Sequence, residues 1–246
     1  MRTLAVLADI HGNADALRAV LADMAALGVT ECVNLGDCFS GPLAAAETWE
    51  ILRDRPMPTV RGNHDRYLVA QARAVMGPSD AAAYDELPAA ALRWLAALPP
   101  AREMSGLYLC HATPRADDRY WMEEVTAEGA VVLRGAEAIA REAEGIAAPV
   151  LICGHSHLPR LMRLPGGQML LNPGSVGCPA YDDTEPVPHR VETGTPEARY
   201  ALLEAAPDGW RACFRAVPYD PARMIALAES RGRAEWARAL ACGRVA

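Results

Sequence analysis

The chain of 246 residues contains no lysine; all 24 of its basic residues are arginine. That absence excludes Schiff-base and other lysine chemistry. Its seven cysteines (32, 38, 110, 153, 178, 213 and 242) are odd in number and form no C-x-x-C pair, which predicts reduced thiols and a cytoplasmic location rather than a disulfide scaffold. Long apolar runs are missing too. The first one stops at Asp9, too short for a signal peptide, and no window approaches a membrane span, so no membrane partner is expected. A net charge of −7 offers no excess of cations to meet phosphate backbones, which argues against general nucleic-acid binding. With 51% hydrophobic and 22% charged residues, the chain belongs with globular proteins and not with disordered or fibrous ones.

What is present is a design repeated five times. Leu4-Ala5-Val6-Leu7-Ala8 runs into Asp9 and His11, and Cys32-Val33-Asn34-Leu35 into Gly36-Asp37. Pro58-Thr59-Val60 runs into Arg61-Gly62-Asn63-His64-Asp65, Leu107–Cys110 into His111, and Val150–Cys153 into Gly154-His155-Ser156-His157. Each apolar run reads as a buried strand, and each ends in polar side chains suited to metals. Ligands of open α/β sheets bind at the carboxyl ends of strands, so the five ends should converge.

Between these ends the pattern is helical. Asn13 is a good N-cap for a helix carrying Leu17, Val20, Leu21, Met24 and Leu27, closed by Gly28. A second helix is expected at about 44–53, two or three more within the Ala-rich stretch 66–98, and another at about 126–144. From 159 onward, hairpin signals at Pro165-Gly166-Gly167 and Pro207-Asp208-Gly209 announce antiparallel strands. Segment 178–197 reads as a loop, and the stretch from about 221 as helix packed on an outer face. The two patterns together predict an α/β fold: a four-layer α/β/β/α sandwich of two mixed sheets with outer helices, in a single domain over 1–246. The connection 113–125 follows a ligand directly and could wall a substrate.

Five of the six histidines (11, 64, 111, 155 and 157) sit at the strand ends, with Asp9, Asp37 and Asn63; His189 lies in the polar loop and is read as ordinary. Imidazole, carboxylate and amide oxygen without thiolate suit Mn, Fe, Zn, Ni or Co. The ligands are too many for one catalytic zinc, and two metals bridged by a carboxylate would use them all. Such a pair suits phosphoester hydrolysis. Cys110 and Cys153 should face away from the neighbouring ligand position. Arg61 and Arg66 flank the site and are candidate phosphate contacts, while Asp65 could orient His64 or cap the helix that follows.

The series Asp9-x-His11, Gly36-Asp37, Gly62-Asn63-His64-Asp65, His111 and Gly154-His155-Ser156-His157, extended by Asn172-Pro-Gly-Ser-Val-Gly177, resembles the calcineurin-like metallophosphoesterase family, and within it the small bacterial phosphodiesterases. The resemblance implies that Asp9, His11 and His157 hold one divalent transition metal and Asn63, His111 and His155 the other, manganese first among the candidates. Asp37 would bridge, a metal-bridging hydroxide would attack, and His64 would contact the phosphate and protonate the leaving oxygen. Asn63, His64 and Arg61 are the substrate contacts expected. The substrate implied is a small phosphodiester or phosphomonoester. In the protein-phosphatase branch Gly-Asp is followed by x-x-Asp-Arg-Gly, whereas this chain has Gly36-Asp37-Cys38-Phe39-Ser40-Gly41. The departure removes a phosphate-binding arginine and the acidic partner of the histidine, and tells against a protein phosphatase or dinucleoside-polyphosphate hydrolase. A non-catalytic scaffold is the remaining alternative, disfavoured because no ligand position is missing.

Overall fold

The computed structural model describes residues 3–207 and 209–245. Strand β1 (Thr3–Leu7) leads through Asn13, whose side chain accepts the Ala16 N–H at 3.1 Å, into helix α1 (Ala14–Ala26). Strand β2 (Glu31–Asn34) and helix α2 (Ala45–Arg53) follow. Helices α3 (Asn63–Ala70), α4 (Pro78–Glu86) and α5 (Ala89–Ala97) fill the Ala-rich stretch. Next come strands β3 (Ala101–Met104) and β4 (Leu107–Cys110), the pair β5 (Glu123–Val125) and β6 (Val131–Leu133), and helix α6 (Ala136–Glu142). Strands β7 (Val150–Ile152), β8 (Arg160–Arg163) and β9 (Met169–Asn172) precede a hairpin of β10 (Ala180–Asp183) and β11 (His189–Glu192). Long strands β12 (Ala198–Ala206) and β13 (Gly209–Val217) and helices α7 (Ala222–Ser230) and α8 (Ala234–Cys242) complete the order.

Two mixed sheets result. One runs β13-β12-β1-β2 and the other β3-β4-β7-β9-β8. Within them β1–β2, β4–β7 and β7–β9 are parallel, and the remaining pairings antiparallel. Alternation along each strand sorts the core into layers. Leu4 and Val6 of β1 meet Leu107, Leu109, Val150, Ile152, Met169 and Leu171 between the sheets. Ala5 and Leu7 face outward onto α1, where Leu17, Val20 and Leu21 cover them. Leu151 and Leu170 face the opposite outside, under Trp121, Met122 and Ile139 of α6. The four-layer sandwich is therefore present, and each buried Leu or Val in it contributes roughly 1.5–3 kcal/mol.

Several local expectations need correction. Residues 58–60 form no strand; Thr59 makes one isolated bridge to Asn34, because Pro56 and Pro58 remove ladder donors. The helix expected at 126–144 is only 136–142. Its first part is the β5–β6 hairpin, turned at Gly129 with φ +81° and continued by the β-branched Val131 and Val132. Segment 178–197 holds the β10–β11 hairpin instead of a loop, its short strands hidden among prolines and acids. The turn residue Asp208 lies outside the described residues, and Ala206 pairs with Gly209 across that hairpin. Helices α7 and α8 pack on α1 and α2 through Met224, Ala237 and Leu240, as an outer layer should, but α8 also reaches the site. Among the described residues no helix is long and apolar enough to cross a membrane.

Candidate metal centre

The strand ends do converge. Asp9, His11 and His157 bring ligand atoms within 4.8 Å of one another, and so do Asp37, His111 and His155. The two groups meet at Asp37, whose Oδ2 is 3.2 Å from His111 Nε2 and 4.0 Å from His11 Nε2. Close approach is built into the backbone. Asp9, His11, Asp37, His155 and His157 all adopt positive φ, between 51° and 68°, and Ser105 is the only other described non-glycine residue that does. Gly62 must be glycine for a different reason: a Cβ there would lie 2.1 Å from Asp37 Oδ1.

The donor set fits divalent metals. His11 donates its Nδ1–H to the Ser40 carbonyl at 2.7 Å, His111 to that of Leu35 at 2.8 Å, and His157 to that of Cys178 at 2.7 Å. A carbonyl only accepts, so each ring keeps its Nε2 lone pair for the site. Two such lone pairs, on His11 and His157, face each other at 3.1 Å, an arrangement that calls for a cation or proton between them. Asp9 Oδ1 is fully buried and, among the described residues, accepts no hydrogen bond, its nearest basic atom being His157 Nε2 at 3.5 Å, whereas its Oδ2 takes the His155 N–H at 3.1 Å. A buried carboxylate oxygen left this way is costly unless a cation meets it. Asn63 turns its Oδ1 toward His111 Nε2 at 3.0 Å, the orientation that serves a metal; turned over, its amide would donate to Asp37 and His155 instead.

Charge in the metal-free site follows the carboxylates. Burial disfavours the charged form of every histidine here, but Asp37 overrides it at His111, which is held up to about 9. Burial and then Asp9 act on His157, and the carboxylate wins, raising it. His11 and His155 lack such a close partner; burial and a neighbouring imidazolium push them down to about 4 and about 3. Asp9 is held below the usual carboxylate range and Asp37 well below it, burial being outweighed by the histidines around each.

His64 stands apart from the two groups. Its backbone N–H donates to Asp37 Oδ1 at 3.0 Å, and its Nδ1–H donates to Asp80 Oδ1 at 2.8 Å with Ser40 Oγ 3.2 Å away. Burial lowers it, but Asp37 and then Asp80 lift it to about 9. The acidic partner missing from the Gly-Asp motif is thus supplied from α4. Asp65 does not orient His64. Its carboxylate accepts the N–H groups of Gly62, Asp37 and Cys38 at 2.8–3.0 Å and so ties the two turns together.

Arg61 lines neither cavity beside the site; its Nε is buried without a partner among the described residues, and its backbone N–H donates to the Pro99 carbonyl. Arg66 is taken up by a bidentate pair to Asp117 at 2.6–2.7 Å and lies over the Tyr67 ring. Cys110 and Cys153 lie in the outer core under Trp121. Ser175 Oγ donates to the Asp9 carbonyl at 2.7 Å, and Asn172 Nδ2 to that of Gly154 at 2.7 Å, so both steady ligand turns. His189 is buried, and since its Nδ1 serves the Val187 carbonyl, its Nε2 accepts the Tyr120 hydroxyl at 2.9 Å. Tyr120 in turn accepts Tyr181 at 2.6 Å, and the two rings lie against His155 and His157.

Two cavities open beside the site, of about 280 and 860 Å³. Both are lined by Asn63, His64, Tyr120, His155 and Asp183. The smaller is closed by Tyr181, by Arg233 at the N-cap of α8 and by Trp236 of α8, the larger by Tyr67, Arg119 and the β5 strand.

Residues 1–194 match the calcineurin-like phosphoesterase superfamily domain. A metallophosphoesterase from Sphaerobacter thermophilus is 24% identical, with a TM-score of 0.75 over 98% of both chains. The hypothetical protein PH1004 from Pyrococcus horikoshii OT3 is 17% identical, with a TM-score of 0.76 over 100% of both. The uncharacterized protein MJ0912 from Methanocaldococcus jannaschii is 40% identical over 62 residues, 25% of this chain and 26% of that protein, so the matched stretch spans about a quarter of its relative. The chain belongs to the calcineurin-like phosphoesterase superfamily.

Proposed function

We propose that the chain hydrolyses a small phosphodiester with two divalent metals, manganese first. Asp9, His11 and His157 would hold one, and Asn63, His111 and His155 the other, with Asp37 between them. The observation that carries this reading is the meeting of two buried ligand groups at Asp37, next to His64, whose Nδ1 is held by Asp80 and which lines both cavities. A diester has two substituents, and two cavities offer each a place; a monoester would use one. Metals bound there would polarise the phosphoryl oxygens and lower the pKa of water. The chain's own residues do the rest. His64, held by Asp80, keeps its proton for the leaving oxygen, as a carboxylate-supported imidazolium can. Asn63 and His64 line both cavities and so would contact the phosphate. The reading treats 1–246 as one catalytic unit, since α8 walls one cavity. Seven unpaired thiols favour a reducing compartment, the cytoplasm.

The test is hydrolysis of bis-p-nitrophenyl phosphate and p-nitrophenyl phosphate by metal-stripped protein refilled in turn with Mn, Fe, Ni, Zn and Co, with Asp37→Asn as control. Faster release from the diester, lost in the variant, supports the proposal. Release from the monoester alone makes the enzyme a phosphatase. No release from either, with two metals bound per chain, would favour a scaffold.

A further inference from the structure

The smaller cavity differs chemically from the larger. Each histidine of the Asp9 group carries an aromatic ring: Trp236 lies edge-on to His11 at 6.0 Å, and Tyr181 packs on His157 at 4.7 Å. Trp236 comes from α8, beyond the 1–194 stretch that matches the family domain, so this chain adds the wall from outside that stretch. Its seat is prepared. Gly41 lies against the indole, where a Cβ would meet the His11 carbonyl oxygen at 2.6 Å and the indole tip at 3.1 Å. One turn earlier Arg233 is fixed by Glu235 and by Ser79 Oγ at 3.1 Å.

The charge of this cavity is as telling as its rings. Apart from the metal-ligand turns and His64, its charged lining is Asp182, Asp183 and the pair of Arg233 with Glu235. A second phosphate would meet Asp182 and Asp183, with Arg233 already paired to Glu235, and is disfavoured; a neutral ring with N–H donors would find acceptors there. The cavity of about 280 Å³ is also lined by His11, Asp37 and His157, so it takes in the reacting phosphate too, and what is left admits one ring system rather than a polymer.

We infer that this cavity is the subsite for a planar heteroaromatic substituent, stacked on Trp236, so that the substrate is a nucleoside phosphoester. The inference rests on the phosphodiesterase reading above. Its probes are the methyl diesters of adenosine 5′-phosphate and of glycerol 3-phosphate, which share a reacting centre and a primary-alcohol substituent and differ in the base. The Mn-loaded enzyme should favour the adenosine ester in kcat/KM. Trp236→Leu should reduce that preference by about 5- to 150-fold, the range for a base stacked on an aromatic ring, chiefly through KM, and Trp236→Phe should restore most of it. Metal content is measured on each variant. Equal turnover of the two esters by the wild type, or an unchanged preference in Trp236→Leu, overturns the inference while leaving the hydrolase intact. If neither ester is hydrolysed, the phosphodiesterase reading fails and calorimetry with adenosine decides the subsite. Binding that is lost in Trp236→Leu upholds it, and no binding to the wild type overturns it.

Discussion

Replacing Asp80 by Asn removes one negative charge from the partner of His64 while keeping an acceptor of the same shape. Asp80 is buried and its Oδ1 takes the His64 Nδ1–H at 2.8 Å. A hydrogen bond to a charged group contributes about 1.5–3 kcal/mol, and the lower part of that range applies because the His64 side chain is 32% exposed and water shares its charge. About 1.5–2 kcal/mol corresponds to about 1–1.5 pKa units. The histidine is raised above its ordinary value, so the variant moves it down. If His64 gives its proton to the leaving oxygen, the alkaline limb of kcat/KM should shift to lower pH by about that amount, and activity near pH 8 should fall several-fold. The assay is a pH–rate profile on metal-loaded protein, with metal content and melting temperature as controls. An alkaline limb that stays in place in a fully loaded, folded variant would refute the role given to Asp80.

Gly62→Ala puts a methyl group where Asp37 Oδ1 stands. The φ of −85° at Gly62 adds no strain of its own, so the clash falls on the Asp37 turn, its backbone N at 2.7 Å included, and the variant should bind fewer than two metals by elemental analysis, with its melting temperature measured alongside. Asp65→Ala leaves the N–H groups of Gly62, Asp37 and Cys38 without an acceptor in a buried place. At roughly 1 kcal/mol or more each, the loss is about 3 kcal/mol or more, read as a drop in melting temperature of roughly 6 °C or more.

Four of the five ligand turns were legible because each follows a short apolar run that forms a buried strand, and strand ends of such sheets converge; the turn at Asn63 follows a single bridge at Thr59. His111 after Leu107–Cys110 is the plainest case. Asp80 was not legible. It is one acid in an Ala-rich helix 16 residues past His64, and only the packing of α4 against α3 brings it there. Trp236 and His189 were hidden in the same way, the first read as outer packing and the second as a loop histidine. The β5–β6 and β10–β11 hairpins escaped because strands of three or four residues, broken by Gly129 or set among prolines, carry too little alternation to stand out. A hydrophobic run reports burial; it does not report which distant helix will close over the site.

The backbone at the site makes metal removal a test of the whole arrangement. Five candidate ligands sit in left-handed conformations, each costing on the order of 1 kcal/mol, although Asp and His tolerate that region better than most residues. Metals at 100 times their dissociation constants would add about 2.7 kcal/mol per site, about 5 kcal/mol for two. For a chain of 246 residues that is a rise in melting temperature of roughly 10–20 °C. The rise should depend on pH. In the metal-free protein His111 is held up to about 9 and His157 is raised, so the stability their protons supply is complete below about 6.5 and fades as pH climbs toward 9. Metals displace those protons, so the loaded protein escapes that loss and the gap between loaded and metal-free melting points should widen from pH 6.5 to 9. Calorimetric scans of both forms across that range give the answer. A gap that is absent, or that narrows as pH rises, would mean that these histidines and carboxylates do not hold metal in the way their geometry requires.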